Sequence, residues 1–154
     1  MTEAAAGIEI REATAEEREW SARLMASSEP WITLGRGLDA CRAASLDPAY
    51  LVLVARRGAT PLGFVRLHPR GVAGSPYVAS IAVAPEARVL GVGTALLRAA
   101  EARFPSARYI FLCVSSFNVR ARALYERYGY RIVGELPDYV VDGYSELLMA
   151  RRLP

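Results

Sequence analysis

One stretch, Ile81–Leu97 (IAVAPEARVLGVGTALL), constrains the possible folds of this chain more than any other part of it. It begins with apolar, β-prone residues and reaches Pro85, which cannot donate to a β-ladder and is therefore expected to end a strand. Residues 88–93 then open a helix whose inner face would carry Leu96 and Leu97. The stretch predicts a strand, a glycine-containing turn and a helix in immediate succession.

The helix start in this stretch has the features of an anion-binding site. Helix N-termini leave backbone N–H groups without internal partners, and the helix dipole makes that end partly positive. Gly91 and Gly93 allow an anion to approach the backbone with no Cβ in the way. Because two glycines before a helix also form ordinary tight turns, this loop alone is compatible with a phosphate site and with a simple turn.

Residue spacing counts against two nucleotide-binding patterns. A Walker loop needs Lys followed by Ser or Thr after its last glycine, whereas Gly93 is followed directly by Thr94. A Rossmann fingerprint needs a third glycine three residues after the second, and this chain has Leu96 there. The Rossmann pattern also needs an acidic residue at the end of its second parallel strand. In this chain only Ser115 and Ser116 occur at that position. A dinucleotide-binding domain is therefore disfavoured.

A second motif lies one helix and one strand further along the chain. Residues 118–130 read NVRARALYERYGY and follow an apolar strand predicted over 109–114. The pair formed by Arg-x-x-Gly-x-Gly at 88–93 and Asn-x-x-Ala-x-x-Leu-Tyr-Glu-x-x-Gly-Tyr at 118–130 resembles the GNAT superfamily of acetyl-CoA-dependent N-acetyltransferases. Within that superfamily, the resemblance is nearest to the branch of ribosomal-protein alanine acetyltransferases.

The predicted elements follow the order β-α-α-β-β-β-α-β-α-β-β. This is the GNAT order, and it describes an α/β fold with a mixed central sheet and helices on both faces. A capping box, Thr14 with Glu17, marks the start of the first helix, which ends near Ala26. Strands are predicted at 7–11, 50–56, 62–68, 76–84, 109–114, 130–135 and 144–151. The other helices are predicted at 38–44, 88–103 and 119–128.

Composition agrees with one globular domain over residues 1–154. Hydrophobic residues make up 53% of the chain, and its length is ample for a core. The net charge of +3 is mild and dispersed, so it suits a polyanionic cofactor and does not indicate a nucleic-acid partner.

The two cysteines are far apart in apolar contexts, so neither a disulfide nor a metal site is expected. With no membrane-length apolar run and no signal-peptide core, the expected location is the cytoplasm, without a membrane partner.

The resemblance implies an acetyl-CoA site formed by the two motifs. The strand residues would lie beside the pantetheine arm, with a backbone N–H near Val83 polarising the thioester oxygen. The loop amides would hold the pyrophosphate, with Arg88 either capping it or remaining a surface charge. Arg120 and Arg122 could meet the ribose phosphate or face solvent. The cofactor-binding residues implied in this way are Ile81, Ala82, Val83, Arg88, Val89, Leu90, Gly91, Val92, Gly93, Thr94, Asn118, Ala121 and Tyr125.

Tyr125 occupies the position at which this family has its general acid. A phenol with a pKa of about 10 stays protonated and can give its proton to the departing thiolate. Without the resemblance, a core tyrosine is the simpler interpretation, because Leu124 and Tyr128 flank it on a predicted helix. Asn118 also has two interpretations, since it could bond the pantetheine amide or only cap the helix.

The chain departs from the ribosomal-protein branch at the general base. In that branch a glutamate stands five residues before the asparagine, whereas this chain has Cys113 there, and a buried thiol relays an ammonium proton poorly. Either water or another residue is then the base, or the substrate differs. The candidate residues are Glu29, Glu135, Asp138, Glu146 and His68, the single histidine of the chain.

The sequence defines the acceptor side of the site less closely. Glu29 and Trp31 lie in the segment that forms one acceptor wall in this family, although a helix-breaking loop with a tryptophan in the core explains them equally. The leading hypothesis is an N-acetyltransferase that acts on a primary amine of a small molecule, a protein N-terminus or a lysine. The alternative is a non-catalytic acyl-CoA-binding sensor or interaction module that uses the same pocket without turnover. A monomer and a homodimer are both compatible with these hypotheses.

Overall fold

The structure is a computed structural model that describes residues 7–154. Its strands are β1 (Glu9–Glu12), β2 (Leu51–Arg57), β3 (Thr60–Val72), β4 (Ser75–Val83), β5 (Tyr109–Ser115), β6 (Arg131–Pro137) and β7 (Ser145–Arg152). Its α-helices are α1 (Ala15–Ala26), α2 (Leu38–Leu46), α3 (Val92–Ala102) and α4 (Val119–Tyr128), and a 3₁₀ helix spans Pro85–Leu90. None of these helices is long and apolar enough to cross a membrane. The predicted order of elements is confirmed, and residues 1–6 of the predicted domain lie outside the described residues.

The described strands form one mixed sheet in the order β1-β2-β3-β4-β5-β7-β6. Neighbouring strands are antiparallel, except that β4 and β5 are parallel, as their connection through the crossover helix α3 requires. This parallel pair lies at the centre of the sheet. The two motifs follow its two strands, because residues 88–93 come after β4 and residues 118–130 come after β5.

The two faces of the sheet pack against different helices. On one face, Leu96 and Leu97, predicted as the inner side of α3, are fully buried where α3 packs on β2, β3 and β4. The other face packs against α1 and α2, and its buried residues are Ala22, Leu24, Met25, Cys41, Val52, Phe64 and Ala84. Because successive strand residues point to opposite faces, each strand residue near the centre can be assigned to one of these two layers.

Glu17 fixes α1 to the edge of the sheet. The predicted capping box is confirmed, because Thr14 Oγ1 accepts from the Glu17 N–H at 3.2 Å and Glu17 Oε1 accepts from the Thr14 N–H at 3.0 Å. Arg11 of β1 and Arg56 of β2 also donate to the Glu17 carboxylate, each at 2.8 Å. Burial acts to raise the pKa of Glu17, but the hydrogen bonds from Thr14 and Arg11 outweigh it and hold the pKa below its ordinary value.

Two elements differ from their predicted bounds by more than two residues. α3 begins at Val92 and not at residue 88, because Pro85 starts a separate 3₁₀ helix. Gly91 joins the two helices in the left-handed conformation, with φ of +76°, which residues with a side chain rarely adopt. β3 continues to Val72, beyond its predicted end at residue 68, although its pairing with β4 becomes irregular after His68.

Candidate active site

β4 and β5 pair along only part of their length. Tyr77 pairs with Phe111 and Val78 with Leu112, and no further pair joins these two strands in the described chain, although β4 runs on to Val83. Beyond these pairs the strands diverge and leave a wedge in the middle of the sheet. The backbone N–H and C=O groups that face the wedge have no strand partner, so they are available to a ligand.

A β-bulge interrupts β4 at the same place. Arg66 of β3 pairs with Ser80, and Leu67 pairs with Val78, so Ala79 is an extra residue between the two pairs. A bulge bends its strand and increases the local twist. The wedge between β4 and β5 therefore has a local cause in the backbone of β4.

A cleft of about 600 Å³ occupies the wedge and has walls on both faces of the sheet. On the face covered by α3 and α4, called the α4 side below, its wall includes Arg88, Gly91, Gly93, Thr94, Asn118, Ala121, Leu124 and Tyr125. On the opposite face, called the α1 side below, its wall includes Glu29, Trp31, Tyr50, Arg66, Tyr77, Cys113 and Glu146. The β4 residues Ile81, Ala82 and Val83 also line the cleft.

The N-terminus of α3 opens into the α4 side of the cleft. No side chain caps this helix, so the N–H groups of its first turn lack a side-chain partner. A Cβ on Gly91 would meet no atom within 4 Å, which leaves the approach to this helix end open. A Cβ on Gly93 would lie 3.2 Å from Leu124 Cδ2, so Gly93 lets α3 pack close to α4. The loop thus presents the exposed backbone donors that an anion site requires.

Three arginines add positive charge to the α4 side of the cleft. Arg88, Arg120 and Arg127 contribute to its wall, and none of them forms an ion pair within residues 7–154. Arg122, the other α4 arginine considered from the sequence, pairs with Glu126 at 2.9 Å and lies outside the wall. The sequence analysis missed Arg127, although its spacing of two helical turns from Arg120 places both on one face of α4.

Three of the residues predicted to bind the cofactor have side chains outside the cleft wall. Val89 is 85% exposed to solvent, Leu90 packs partly buried against the core, and Val92 is completely buried. The 3₁₀ helix and the first turn of α3 turn these side chains away from the cleft. Only the backbone groups of these three residues could contact a ligand there.

The position of Tyr125 is compatible with both of its interpretations. Only 7% of the residue is exposed, and its ring packs edge-on against Tyr130 with the ring centroids 6.1 Å apart. Tyr125 nevertheless contributes to the cleft wall on the α4 side. Burial raises the pKa of its phenol, so the hydroxyl keeps its proton at neutral pH and can donate it.

Asn118 caps α4, as one of its two interpretations predicts. Its Oδ1 accepts from the Ala121 N–H at 3.4 Å. Asn118 also contributes to the cleft wall, and its side-chain nitrogen has no partner among residues 7–154. The capping role is therefore observed, and a contact with the cofactor stays a prediction.

The α1 side also contains Tyr50, Arg66 and Tyr77, which the sequence analysis did not single out. Burial raises the pKa of the Tyr77 hydroxyl and of the neighbouring Cys113 thiol. The Arg66 guanidinium lies 4.2 Å from the centroid of the Tyr50 ring and donates to Ser80 Oγ at 3.3 Å. The available signal was Arg66 within the mostly apolar run 62–67 and Tyr77 among the small and apolar residues of β4.

The structure separates the five candidate bases into two groups. Glu29 and Glu146 contribute to the cleft wall, whereas Glu135, Asp138 and His68 do not. Sequence alone could not make this separation, because it depends on the sheet register and on the course of the connections between elements.

Known proteins share parts of this sequence. The model of the acetyltransferase (GNAT) family matches residues 9–130. An uncharacterized N-acetyltransferase of Methanocaldococcus jannaschii is 42% identical over 84 residues, which are 53% of this chain and 54% of the relative. An N-alpha-acetyltransferase of Sulfurisphaera tokodaii is 40% identical over 80 residues, which are 50% of this chain and 48% of the relative. The chain therefore spans about half the length of the curated relatives it matches.

Solved structures share the fold over a larger part of the chain. Nourseothricin acetyltransferase is 32% identical and superposes with a TM-score of 0.63, covering 70% of this chain and 68% of that protein. The ribosomal-protein-S18-alanine N-acetyltransferase of Escherichia coli superposes with a TM-score of 0.74 over 94% of this chain and 93% of that protein. At 20% identity, this second likeness concerns the fold alone.

Proposed function

This chain belongs to the GNAT acetyltransferase family, and we propose that it moves the acetyl group of acetyl-CoA to a primary amine by direct attack. The observation that carries the proposal is the cleft in the β4–β5 wedge, because it joins an uncapped helix N-terminus to a buried, protonated tyrosine. The first feature suits a pyrophosphate and the second suits a departing thiolate. Acetyl-CoA contains both groups.

Acetyl-CoA would lie along the wall of the cleft. We assign the pyrophosphate to the N–H groups of residues 88–94, with the Arg88 guanidinium as a further donor. The pantetheine arm would follow β4 at Ile81–Val83, where the backbone groups that face the wedge lack a strand partner. Asn118 and Ala121 would contact this arm from α4.

Tyr125 is the general acid in this proposal. When an amine attacks a thioester carbonyl, negative charge develops first on the carbonyl oxygen and then on the sulfur. A backbone N–H near Val83 stabilises the charge on oxygen, and the Tyr125 hydroxyl gives its proton to the sulfur. The raised pKa of Tyr125 keeps this proton in place until the sulfur needs it.

The acceptor amine enters from the α1 side, because the core beneath α3 and α4 closes the other face. Glu29 and Trp31, in the connection between α1 and α2, would contact it there. One relative is named an N-alpha-acetyltransferase and one structural neighbour a nourseothricin acetyltransferase. These names support the amine of a protein N-terminus and the amine of a small molecule as acceptor classes, and lysine side chains complete the set to be tested.

The proposal also includes the number of domains, the cellular location and the oligomeric state. We propose one catalytic domain over residues 1–154, because the cleft wall includes Glu146 of β7, beyond the part that the family model matches. The thiols of Cys41 and Cys113 are unpaired, which supports a reducing compartment and hence the cytoplasm. A monomer or a homodimer without nucleic acid agrees with the mild net charge of +3.

Release of free thiol from acetyl-CoA tests the proposed function. The purified protein is incubated with acetyl-CoA and one acceptor at a time: peptides with a free N-terminus, N-blocked peptides with one lysine, and small primary amines. We expect thiol release above the hydrolysis seen without acceptor, in a one-to-one ratio with acetylated product detected by mass spectrometry. Binding of acetyl-CoA without acceptor-dependent release over the whole panel would contradict the enzyme proposal and favour the acyl-CoA sensor.

A further inference from the structure

The proton that the acceptor ammonium must lose requires a base on the α1 side of the cleft. An ammonium group has no lone pair, so the amine becomes a nucleophile only after this proton has left. The proposed acid, Tyr125, lies on the α4 side, where Leu124 and Tyr130 are part of the core that closes this face. Since the acceptor approaches from the opposite face, its proton must be taken up there.

The register of β5 and β7 places Glu146 on the α1 side. Val114 pairs with Leu147, and both are buried in the core beneath α3 and α4. The next pair, Ser115 with Glu146, must point to the opposite face because side chains alternate along a strand. Cys113 stands two residues from Ser115 and therefore shares the face of Glu146.

Of the two carboxylates in the cleft wall, Glu29 and Glu146, only Glu146 has no hydrogen-bond or ion-pair partner among the described residues. Within residues 7–154, no hydrogen bond or ion pair engages the Glu146 side chain. The Glu29 carboxylate, by contrast, accepts from the Thr33 N–H at 2.8 Å and from the Thr33 hydroxyl. Glu29 therefore stabilises its own connection, while Glu146 retains its lone pairs for a ligand.

The other titratable groups near Glu146 are poor proton acceptors. Tyr77 of β4, Cys113 of β5 and Tyr139 of the connection between β6 and β7 line the same part of the wall. Burial raises the pKa of Tyr77 and of Cys113, so both groups stay protonated at neutral pH. His68 lies outside the wall, and its Nδ1 already accepts from the Arg70 N–H at 3.0 Å.

Ser115 gives an independent sign that a polar group binds at this point. It contributes to the cleft wall, it is only 1% exposed, and its Oγ has no hydrogen-bond partner. Buried hydroxyl groups in folded proteins almost always have a partner. As Ser115 is the register partner of Glu146, its hydroxyl marks a position where a polar group of the acceptor would be held beside the carboxylate.

We propose that Glu146 is the general base of the acetyl transfer, an inference that rests on the proposed function. Its carboxylate takes one proton from the acceptor ammonium, and the freed lone pair of nitrogen forms the C–N bond to the thioester carbon. The C–S bond breaks while Tyr125 gives its proton to sulfur, and nitrogen loses its second proton as the amide forms. Two protons leave nitrogen, sulfur gains one and solvent receives one, so Glu146 and Tyr125 return to their starting states.

Glu146→Gln tests this inference, because it removes the base and keeps the size of the side chain. With the best acceptor of the panel, we expect kcat/KM for the amine to fall about 100-fold at about pH 7. The loss should shrink to less than about tenfold at about pH 9.5, since a growing fraction of the amine is then already neutral. Burial, the largest cause of the raised pKa of Tyr77 and of Cys113, is the same in both proteins, so neither group becomes a base at neutral pH in the variant. Calorimetry should show unchanged binding of acetyl-CoA.

Two further variants complete the experiment. Glu135→Gln, on β6 outside the cleft wall, is the matched control and should follow the wild-type pH profile. Glu146→Asp should recover part of the activity, and the melting temperatures of all variants are measured. A loss that is the same at every pH, or no loss at all, would overturn the role of Glu146 as base. If the wild-type protein itself releases no thiol with any acceptor, the proposed function fails, which is a distinct result.

Discussion

The side chain of Tyr125 combines packing with the chemistry proposed for it. Its ring fills the core against Tyr130, and the burial that comes with this packing is also the cause of its raised pKa. A phenol that ionises with difficulty holds its proton until negative charge develops on the departing sulfur. The environment that makes Tyr125 a good core residue therefore also makes it a suitable acid.

Tyr125→Phe separates these two contributions, since it keeps the ring and removes the donor. We expect kcat to fall about 10²–10⁴-fold, with little change in acetyl-CoA affinity, because the hydroxyl matters most as charge develops on sulfur. The matched control is Tyr128→Phe on the same helix, outside the cleft wall, which should leave kcat near the wild-type value. If Tyr125→Phe instead costs about 1 kcal/mol of stability with normal turnover, Tyr125 is a structural residue only.

Single residues also show where prediction from the sequence stops. The motifs identified Tyr125 and Asn118, because these residues stand at fixed positions within one continuous segment. The same reasoning showed that Cys113 stands where a related branch has its general base, and it placed Glu146 among five candidates for that role. It could not choose between them, because Glu146 reaches the site only through the pairing of β7 with β5, a contact between distant parts of the chain.

At the scale of elements, the start of α3 is where the glycine motif of the sequence corresponds most directly to the proposed phosphate site. The helix has eleven residues and no capping side chain, and Gly91 enters it in a conformation that keeps the first N–H groups open. A capping side chain at this position would compete with an anion for the same donors. The lack of a cap at this helix end is therefore consistent with phosphate binding.

Gly91→Glu should abolish binding of acetyl-CoA, because it places bulk and negative charge where the pyrophosphate is assigned. We expect the affinity measured by calorimetry to fall by at least about 100-fold. The chain offers a close control in Gly74→Glu, between β3 and β4. Gly74 has a φ of +77° against +76° for Gly91, and a Cβ at either position would meet no atom within 4 Å. Both variants carry the same strain and charge, so equal binding by the two would remove the glycine loop from the site.

Elements whose signals are local were predicted well. The capping box of α1 and the inner face of α3 depend on residues a few positions apart, and both are confirmed. The β4–β5 wedge was not predicted, because it arises from a bulge at Ala79 and from the end of pairing after Val78. Neither feature has a local signature, since both depend on how three strands align.

At the scale of the whole molecule, the sheet separates two helical layers, and the cleft connects them. The layer of α3 and α4 supplies the proposed anion site and the proposed acid, whereas the face of α1 and α2 supplies the proposed acceptor wall and the proposed base. The thioester would lie between them, in the gap that β4 and β5 leave in the sheet. This arrangement explains why the site needs elements from both ends of the chain, from Glu29 to Glu146.

A crystal structure of the protein with bound CoA tests this account most directly. We expect the pyrophosphate oxygens within about 2.7–3.2 Å of backbone nitrogens in residues 88–94, and the pantetheine arm in the wedge beside Ile81–Val83. The sulfur should lie within about 4 Å of the Tyr125 hydroxyl, with open space towards Glu146 on the other face. CoA bound away from the start of α3, or a wedge closed by pairing of β4 with β5 in the complex, would contradict the account.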